Sequence, residues 1–595
     1  MKGKAAVRDK VKKWSFFAIY AYILVCFVPG LIGMEETIGF TYSMVGVGTY
    51  FILMYFLKHM WERFWITDGC RKWLLCVFSF VFLLLYSWGR MLDAYGYIAL
   101  DKWDSLLMPF GVAPFGAMIL YHVYEALHKT LPFEEDEGRL SNKEKIGYAL
   151  FLITVWGIVL LGVYPGFFVY DAIDEINEVI TRQFTTHHPL FHVLYMGGVV
   201  QAGYKILGSY NLGIFCFTLF QMLIFVAGII YAADRMRSFG CHRYLCRGMI
   251  VFMGLFPVYP MIVLGSCKDS LFALVTLLWV VTTYEWFKQP GKYCKLRWVI
   301  LSVMLCLLRN NAIYALVVTG ILLIIFVKQY RKQLAILFVL SILASTVFSK
   351  GMAWVLHAQP AGNQELLTVP IQQLARTHHL SKELFAEEDL DLLYQYLPEE
   401  NLERYRPKLS DSVKIGFNNE LYEQDSMSFI KLWIKMGLKA PMSYINAWFM
   451  TSYGYWYPDT VIDVYEGNQV FTFTYEDNCY YGFETEQPGS RESKIPMINE
   501  FYRKLSLEIY KEKLPVISLL FSPGFLLWGL LFIMGYMITY RGIRSIMPYS
   551  FLLLVVATLL LGPTYLPRYV FFLWMALPFV IGDMCKGADK TEPAN

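Results

Sequence analysis

Charge is the first thing this sequence is short of. Only 17% of its 595 residues are Asp, Glu, Lys or Arg, against about 25% in ordinary soluble domains. That shortage argues against a cytosolic enzyme. A disulfide framework is missing as well: the eleven cysteines are an odd number, and most lie in apolar stretches or short basic loops. Only Cys267 and Cys479 fall on the face read below as outer. No internal repeat and no low-complexity run is visible, and fibres and disorder are excluded. The basic start, MKGKAAVRDKVKKW, runs into an apolar stretch without a small-residue cleavage site. It is expected to stay as an anchor rather than to leave as a signal peptide.

Apolar residues fill the space that charge leaves. Hydrophobic residues make up 56% of the chain and aromatic ones 17%, with mean hydropathy +0.43. They fall into blocks close to the 17–25 residues of a bilayer-crossing helix. The blocks are 15–33, 39–57, 73–89, 106–125, 147–164, 211–232, 248–265, 269–287, 295–309, 312–328, 333–356, 514–539, 547–563 and 566–584. A fifteenth, 189–207, decides the parity of all that follow. If it does not cross, the basic loops 235–247, 288–297, 328–333 and 539–544 share the cytoplasm with the N-terminus, as the positive-inside rule requires. If it crosses, all of them move outside. The segment is therefore expected to lie in the outer interface with its apolar side in lipid, its His192, Gln201 and Lys205 toward the polar layer.

The net charge of +4 hides an asymmetry. Between His357 and Leu514 there are 24 acidic and 15 basic residues, a net of −9, which leaves +13 for the rest. An acidic, mostly helical, extracytoplasmic insert thus interrupts a basic membrane body. The expected fold is an all-α polytopic membrane protein with about 14 transmembrane helices, outer juxtamembrane helices and both termini cytoplasmic. Four N-terminal spans occupy 1–146, a membrane core 147–357, the insert 358–513, and the last spans 514–595.

The chemistry gathers on the outer face. YPGFFVYD (164–171) leaves a membrane helix through a Pro-Gly turn and arrives at Asp171. Asp171, Asp174, Glu175 and Glu178 then follow a helical spacing opposite Ile173, Ile176 and Ile180. Glu175 and Glu178 read as a solvated face. Asp171, beside the membrane end, stands where partial desolvation raises a carboxylate's basicity. HHPLFH (187–192) follows, with Pro189 opening a new helix. Its histidines and the nearby carboxylates could bind a divalent metal; alternatively His188 caps the helix or contacts substrate. Three outer loops each carry a cation at a membrane boundary: Lys268-Asp269, Arg309-Asn310-Asn311 and Pro567-Arg568-Tyr569. Lone cations outside are headgroup anchors or local ion pairs, unless together they hold an anion, for which a lipid phosphate is the natural choice.

Tyr-Pro-Gly leading to an Asp, then His-Pro opening a juxtamembrane helix, resembles the GT-C superfamily of membrane glycosyltransferases. Protein O-mannosyltransferases and the aminoarabinose–lipid A transferase are among its members. The order GSYNLGIFCFTLFQ, basic loop, FPVYPMIVLGSCKDSLFALV is similar to an uncharacterised bacterial branch of it. The resemblance covers about 147–357 and extends weakly to the C-terminal PRY. It implies transfer of a sugar, with inversion, from a polyprenyl-phosphate donor to a glycan, lipid or protein acceptor outside a cell membrane. Asp171 is then the first choice of base and Asp174 the second, with Lys268, Arg309 and Arg568 on the donor phosphate. His187, His188, Asp269, Asn310 and Tyr569 would contact substrate. A metal requirement stays open, and no nucleic-acid partner is expected.

Two other functions use similar groups. A transporter or flippase of lipid-linked sugars would put ionisable groups and broken helices near mid-bilayer. A polysaccharide ligase or polymerase would share the donor but not need the Tyr-Pro-Gly…Asp…His-Pro order. In the insert, the run YGYWYP (453–458) suits either sugar stacking or an interfacial belt.

Overall fold

The computed structural model describes residues 2–34, 37–99, 104–131, 138–168, 171–288, 292–464, 489–508, 513–514 and 516–586. Among the described residues every regular element is a helix, and the only bridges are three isolated ones. Eight helices are long and apolar enough to cross a membrane: Val11–Leu31, Gly69–Tyr95, Ser105–Thr130, Asn142–Gly162, Tyr210–Ser238, Lys268–Lys288, Lys328–Val355 and Pro523–Arg541. Ala312–Phe326 and Ile543–Leu559 are shorter apolar helices. An all-helical, multi-pass membrane protein fits this inventory.

The chain divides into two compact units, Met1–Pro132 and Phe133–Asn595. In the first, the Tyr20 hydroxyl enters the backbone ladder of the Asp104–Thr130 helix. It donates to Gly111 O (3.1 Å) and accepts from Phe115 N (3.0 Å), beside Pro114. The side chain thus serves two backbone groups that a proline-bearing helix leaves to find partners.

The second unit is built around Lys268–Lys288, which is almost wholly enclosed. Lys292–Leu308 returns antiparallel beside it, fixed by Trp279 Nε1 to Ser302 Oγ (2.8 Å) and Trp298 Nε1 to Thr283 Oγ1 (2.9 Å). Two buried indoles thereby satisfy their only donors. An antiparallel pair brings Lys268 and Arg309 to one end. Phe571–Met584 runs parallel to the central helix, with Phe572 against Phe272 and Asp583 receiving the Tyr284 hydroxyl. Arg568, just before it, therefore comes to the same end.

Three expectations change. The span expected over 248–265 is broken: Arg243–Leu255 stops at Phe256, and Val258–Val263 starts after Pro257. Pro257 and Pro260 offer no N–H to a continuing ladder. The 189–207 segment is a helix, Leu190–Leu207, but its His192 is fully buried, not interfacial. It lies between two neighbours that approach through glycines. A Cβ on Gly197 would stand 2.7 Å from Val179 Cγ2, and one on Gly203 would stand 2.6 Å from Gly213 Cα. The aromatic run is neither an exposed stripe nor a belt. Tyr453, Tyr455, Trp456 and Tyr457 are all buried, packed against Tyr565 and the start of Pro523–Arg541.

Where it is described, the insert is a set of short helices, Thr368–Ser381 through Pro441–Ser452, with its own apolar core. Ile371, Leu374, Leu393, Tyr396, Phe429 and Met436 are among its buried residues. Three backbone seams tie it to the membrane body, one of them made by Glu492 N to Tyr164 O and Lys494 N to Leu161 O, both 2.9 Å. Thr186 N donates to Gln359 O (2.8 Å) and Gln359 N to Phe184 O (2.9 Å), while Ser410 N donates to Pro563 O (3.0 Å).

Candidate functional site

The Pro-Gly exit loop is stitched to the loop before Lys268. Phe167 N donates to Leu264 O and Ser266 N to Phe167 O, both at 2.9 Å. Gly166 has φ +147°, and any side chain there would run into Thr218. Gln221, fully buried on Tyr210–Ser238, donates to both Val263 O (2.7 Å) and Gly265 O (2.8 Å), which fixes the second loop from behind. Asp171, the first residue of Asp171–Thr181, and Lys268, the first of its own helix, are thereby held side by side.

At this end five charges form a row of alternating sign. Lys268 Nζ stands 3.7 Å from Asp171 Oδ2; Arg568 Nη1 donates to the same oxygen at 3.0 Å. Arg568 Nε lies 4.0 Å from Asp269 Oδ2, and Arg309 Nη1 donates to Asp269 Oδ1 at 2.6 Å. Asp171, Asp269 and Arg568 are 9%, 2% and 3% exposed, so their mutual pairing replaces water. The Tyr569 ring lies beneath both guanidinium groups, 5.2 Å from Arg309 and 5.0 Å from Arg568. Arg309 is oriented from its other side, where Nε donates to Asn311 Oδ1 (3.0 Å) and Asn311 Nδ2 to Thr558 Oγ1 (2.8 Å).

His188 completes the Lys268 end. Its Nδ1 accepts from the Lys268 ammonium at 2.8 Å. Burial and the Lys268 charge hold its pKa well below the usual 6.5. The ring is therefore neutral, and because an ammonium only donates, its proton sits on Nε2. His188 does not cap the helix: the N-cap of Leu190–Leu207 is Pro189, which makes no side-chain cap bond.

Burial by itself would raise the Asp171 carboxyl, but the adjacent Arg568 and Lys268 charges outweigh it and hold it below its usual 3.8. This reverses the expectation that desolvation makes Asp171 the more basic group. Asp174 behaves the other way. Its residue is exposed while the carboxyl end is partly desolvated, and that, with the Asp171 charge, raises its pKa.

The acidic helix also differs from expectation on its inner face. Glu175 and Glu178 are buried rather than solvated, covered by Leu190–Leu207. Glu175 Oε2 meets His192 Nδ1 at 2.5 Å with both side chains at 0% exposure, and Glu178 accepts from Thr185 N (3.2 Å) and Oγ1 (3.0 Å).

The remaining site residues read from the sequence are spread more widely. His187 is exposed, its ring edge-on to His188 (4.6 Å) and its Nδ1 3.9 Å from Glu365 of the insert. Asn310 is exposed in its turn, and the neighbouring Asn311 is the residue that reaches Arg309. Thr558 and Gln221 were not legible as site residues. Asn311 was marked only as a neighbour of Arg309, and Tyr455, whose hydroxyl donates to Thr564 O (2.9 Å) ahead of Arg568, only as part of the YGYWYP run. Among the described residues, no group of three or more His, Cys, Asp or Glu side chains is arranged to hold a metal ion.

A model of a family of unknown function (DUF6020) matches residues 180–594, so it begins just after Asp171 and Asp174 and includes every cation of the row. No curated protein matches the chain, and no solved structure does.

Proposed function

The chain belongs to the DUF6020 family, and from that premise we propose that it is a membrane glycosyltransferase of the GT-C kind, moving a sugar from a polyprenyl-phosphate donor to an extracytoplasmic acceptor. The observation that carries this reading is the convergence of Lys268, Arg309 and Arg568, distant in sequence, on Asp171 and Asp269. Headgroup anchors would be scattered over the lipid-facing perimeter; these three share one buried row. Within the row itself three cations face two carboxylates, with His188 neutral, and the donor phosphodiester would compete for those cations.

The acceptor oxygen attacks the anomeric carbon and gives up its proton to Asp171, with Asp174 one helical turn away as the alternative acceptor. The bond from that carbon to the phosphate oxygen breaks, and its electron pair leaves with the polyprenyl phosphate. The second negative charge that develops there falls to Arg568, Lys268 and Arg309. In this reading fourteen segments cross the cell membrane, the one over 248–265 as a helix broken at Pro257, both termini are cytoplasmic and the row faces outward, opposite the basic loops. A flippase is disfavoured because the buried charges cluster at helix ends.

Mass spectrometry of lipid extracts tests the reading. Cells lacking the protein should accumulate a polyprenyl-phosphate sugar, which the wild-type gene clears and the Arg568→Ala gene does not. Unchanged lipids in all three strains would remove the donor assignment.

A further inference from the structure

The row raises a question that the reading above, on which this inference rests, does not answer: Asp171 is the base, yet its oxygen is already held. Arg568 Nη1 donates to Oδ2 at 3.0 Å, and Lys268 stands 3.7 Å from the same atom. A carboxylate paired with two cations has little affinity for a proton. In this arrangement Asp171 cannot take one from an acceptor hydroxyl.

We infer that the donor's own phosphate unmasks the base, so that the donor must bind before an acceptor can react. The groups that hold Asp171 are the ones a phosphodiester would use. An Arg guanidinium and a Lys ammonium both turn readily from a carboxylate to a phosphate oxygen, and the guanidinium can bind it with two parallel N–H donors. Once Arg568 and Lys268 face the phosphate, Asp171 keeps its burial and loses its counter-charges. What then surrounds it is the neutral His188, Asp174 and Glu175 on its own helix, and the phosphate anion itself. Asp269 still holds Arg309 at 2.6 Å and stands 4.0 Å from Arg568, so the clamp stays assembled while Asp171 is released. Burial and a neighbouring anion both raise a carboxyl's proton affinity. The free enzyme therefore carries a silent base, and the lipid phosphate switches it on.

The test uses the full-length protein in lipid nanodiscs and, as the probe, a polyprenyl methyl phosphodiester, whose single negative charge does not titrate near pH 6. Binding is measured by calorimetry at about pH 6 in two buffers of different ionisation enthalpy, which reports protons taken up on binding. Wild type should take up a fraction of a proton as the probe binds. Asp171→Asn should abolish that uptake and bind the probe about 10-fold tighter, because no charge-assisted pair has to be broken first. The wild-type uptake needs no variant, so it stands even if Asp171→Asn folds poorly. Binding without proton uptake overturns the inference, and so does uptake that survives in Asp171→Asn; in either case the donor assignment stands. A wild-type protein that does not bind the probe, or binds it as well after Arg568→Ala, overturns the glycosyltransferase reading itself.

Discussion

Arg568 is nearly inaccessible and divides its guanidinium between two carboxylates, Asp171 and Asp269, with the Tyr569 ring beneath. A lysine there keeps the charge but loses the planar fork that spans both. Arg568→Lys should therefore reduce transfer by about 10²–10³-fold, the scale for removing one fixed donor from developing negative charge, measured as sugar transfer in membranes at equal expression. Lys268→Ala and Arg309→Ala should raise the donor KM more than the acceptor KM; the reverse would move these residues to the acceptor side. His188 adds a pH dependence. Its folded pKa is depressed, so the unfolded chain binds a proton that the folded one refuses. The cost is absent above about pH 6.5 and grows as pH falls below it. His188→Gln can still accept from Lys268 without titrating. It should flatten the fall in thermal midpoint between about pH 7 and pH 5, read by a melting curve at each pH. An unchanged slope would mean that other groups set it.

Elements repeat that logic through their faces. The acidic helix and the His-Pro helix were both legible, because helical spacing and a proline at an N-terminus leave marks in sequence. Which face is buried was not legible. Glu175 and Glu178 have the spacing of any solvated stripe, and only the arrival of His192 and Thr185 makes that stripe an interior. YGYWYP failed for a related reason: aromatic residues at a water boundary and aromatic residues in a packed corner have the same composition. The convergence of Lys268, Arg309 and Arg568 was read from their helix-end positions, whereas Thr558 and Gln221 are uncharged polar residues in apolar helical runs with no pattern to mark them. Helix packing here predicts a contrast between two glycines of one helix. Gly203→Ala sets a methyl 2.6 Å from Gly213 Cα and must push the crossing helices apart, while Gly198 faces open space. Gly203→Ala should cost about 1–3 kcal/mol of stability and displace the helix that His188 precedes, and Gly198→Ala should be neutral. Equal melting temperatures for the two variants would deny the close crossing.

At the scale of the whole molecule, orientation follows from where the basic loops and the insert lie. In a background without native cysteine, single cysteines at Gly240 and Tyr330 should be shielded from an impermeant thiol reagent in intact cells, and one at Glu400, exposed in the insert, should be labelled. Labelling at 240 and 330 with protection at 400 would turn Leu190–Leu207 into a crossing helix and reverse every later span. The family match covers 180–594, so the unit Met1–Pro132 lies entirely outside it.

Two of the seams that join the insert to the membrane body, at 359 and 410, have a consequence for how such a protein can change over generations. Residue 359 is bonded to the segment that leads into His187 and His188, and residue 410 to the one that leads into Arg568. Shortening the insert to a plain hairpin would strip Thr186 N, Phe184 O and Pro563 O of their partners at once, and of these Phe184 is buried and the other two half-buried, where a lost backbone partner is costly. The outer helices, Glu387–Tyr396 among them, carry no such obligation. Drift in length and sequence is therefore free at the periphery and forbidden at the hems. A lineage can restyle the surface above the row without unpicking the chemistry beneath it.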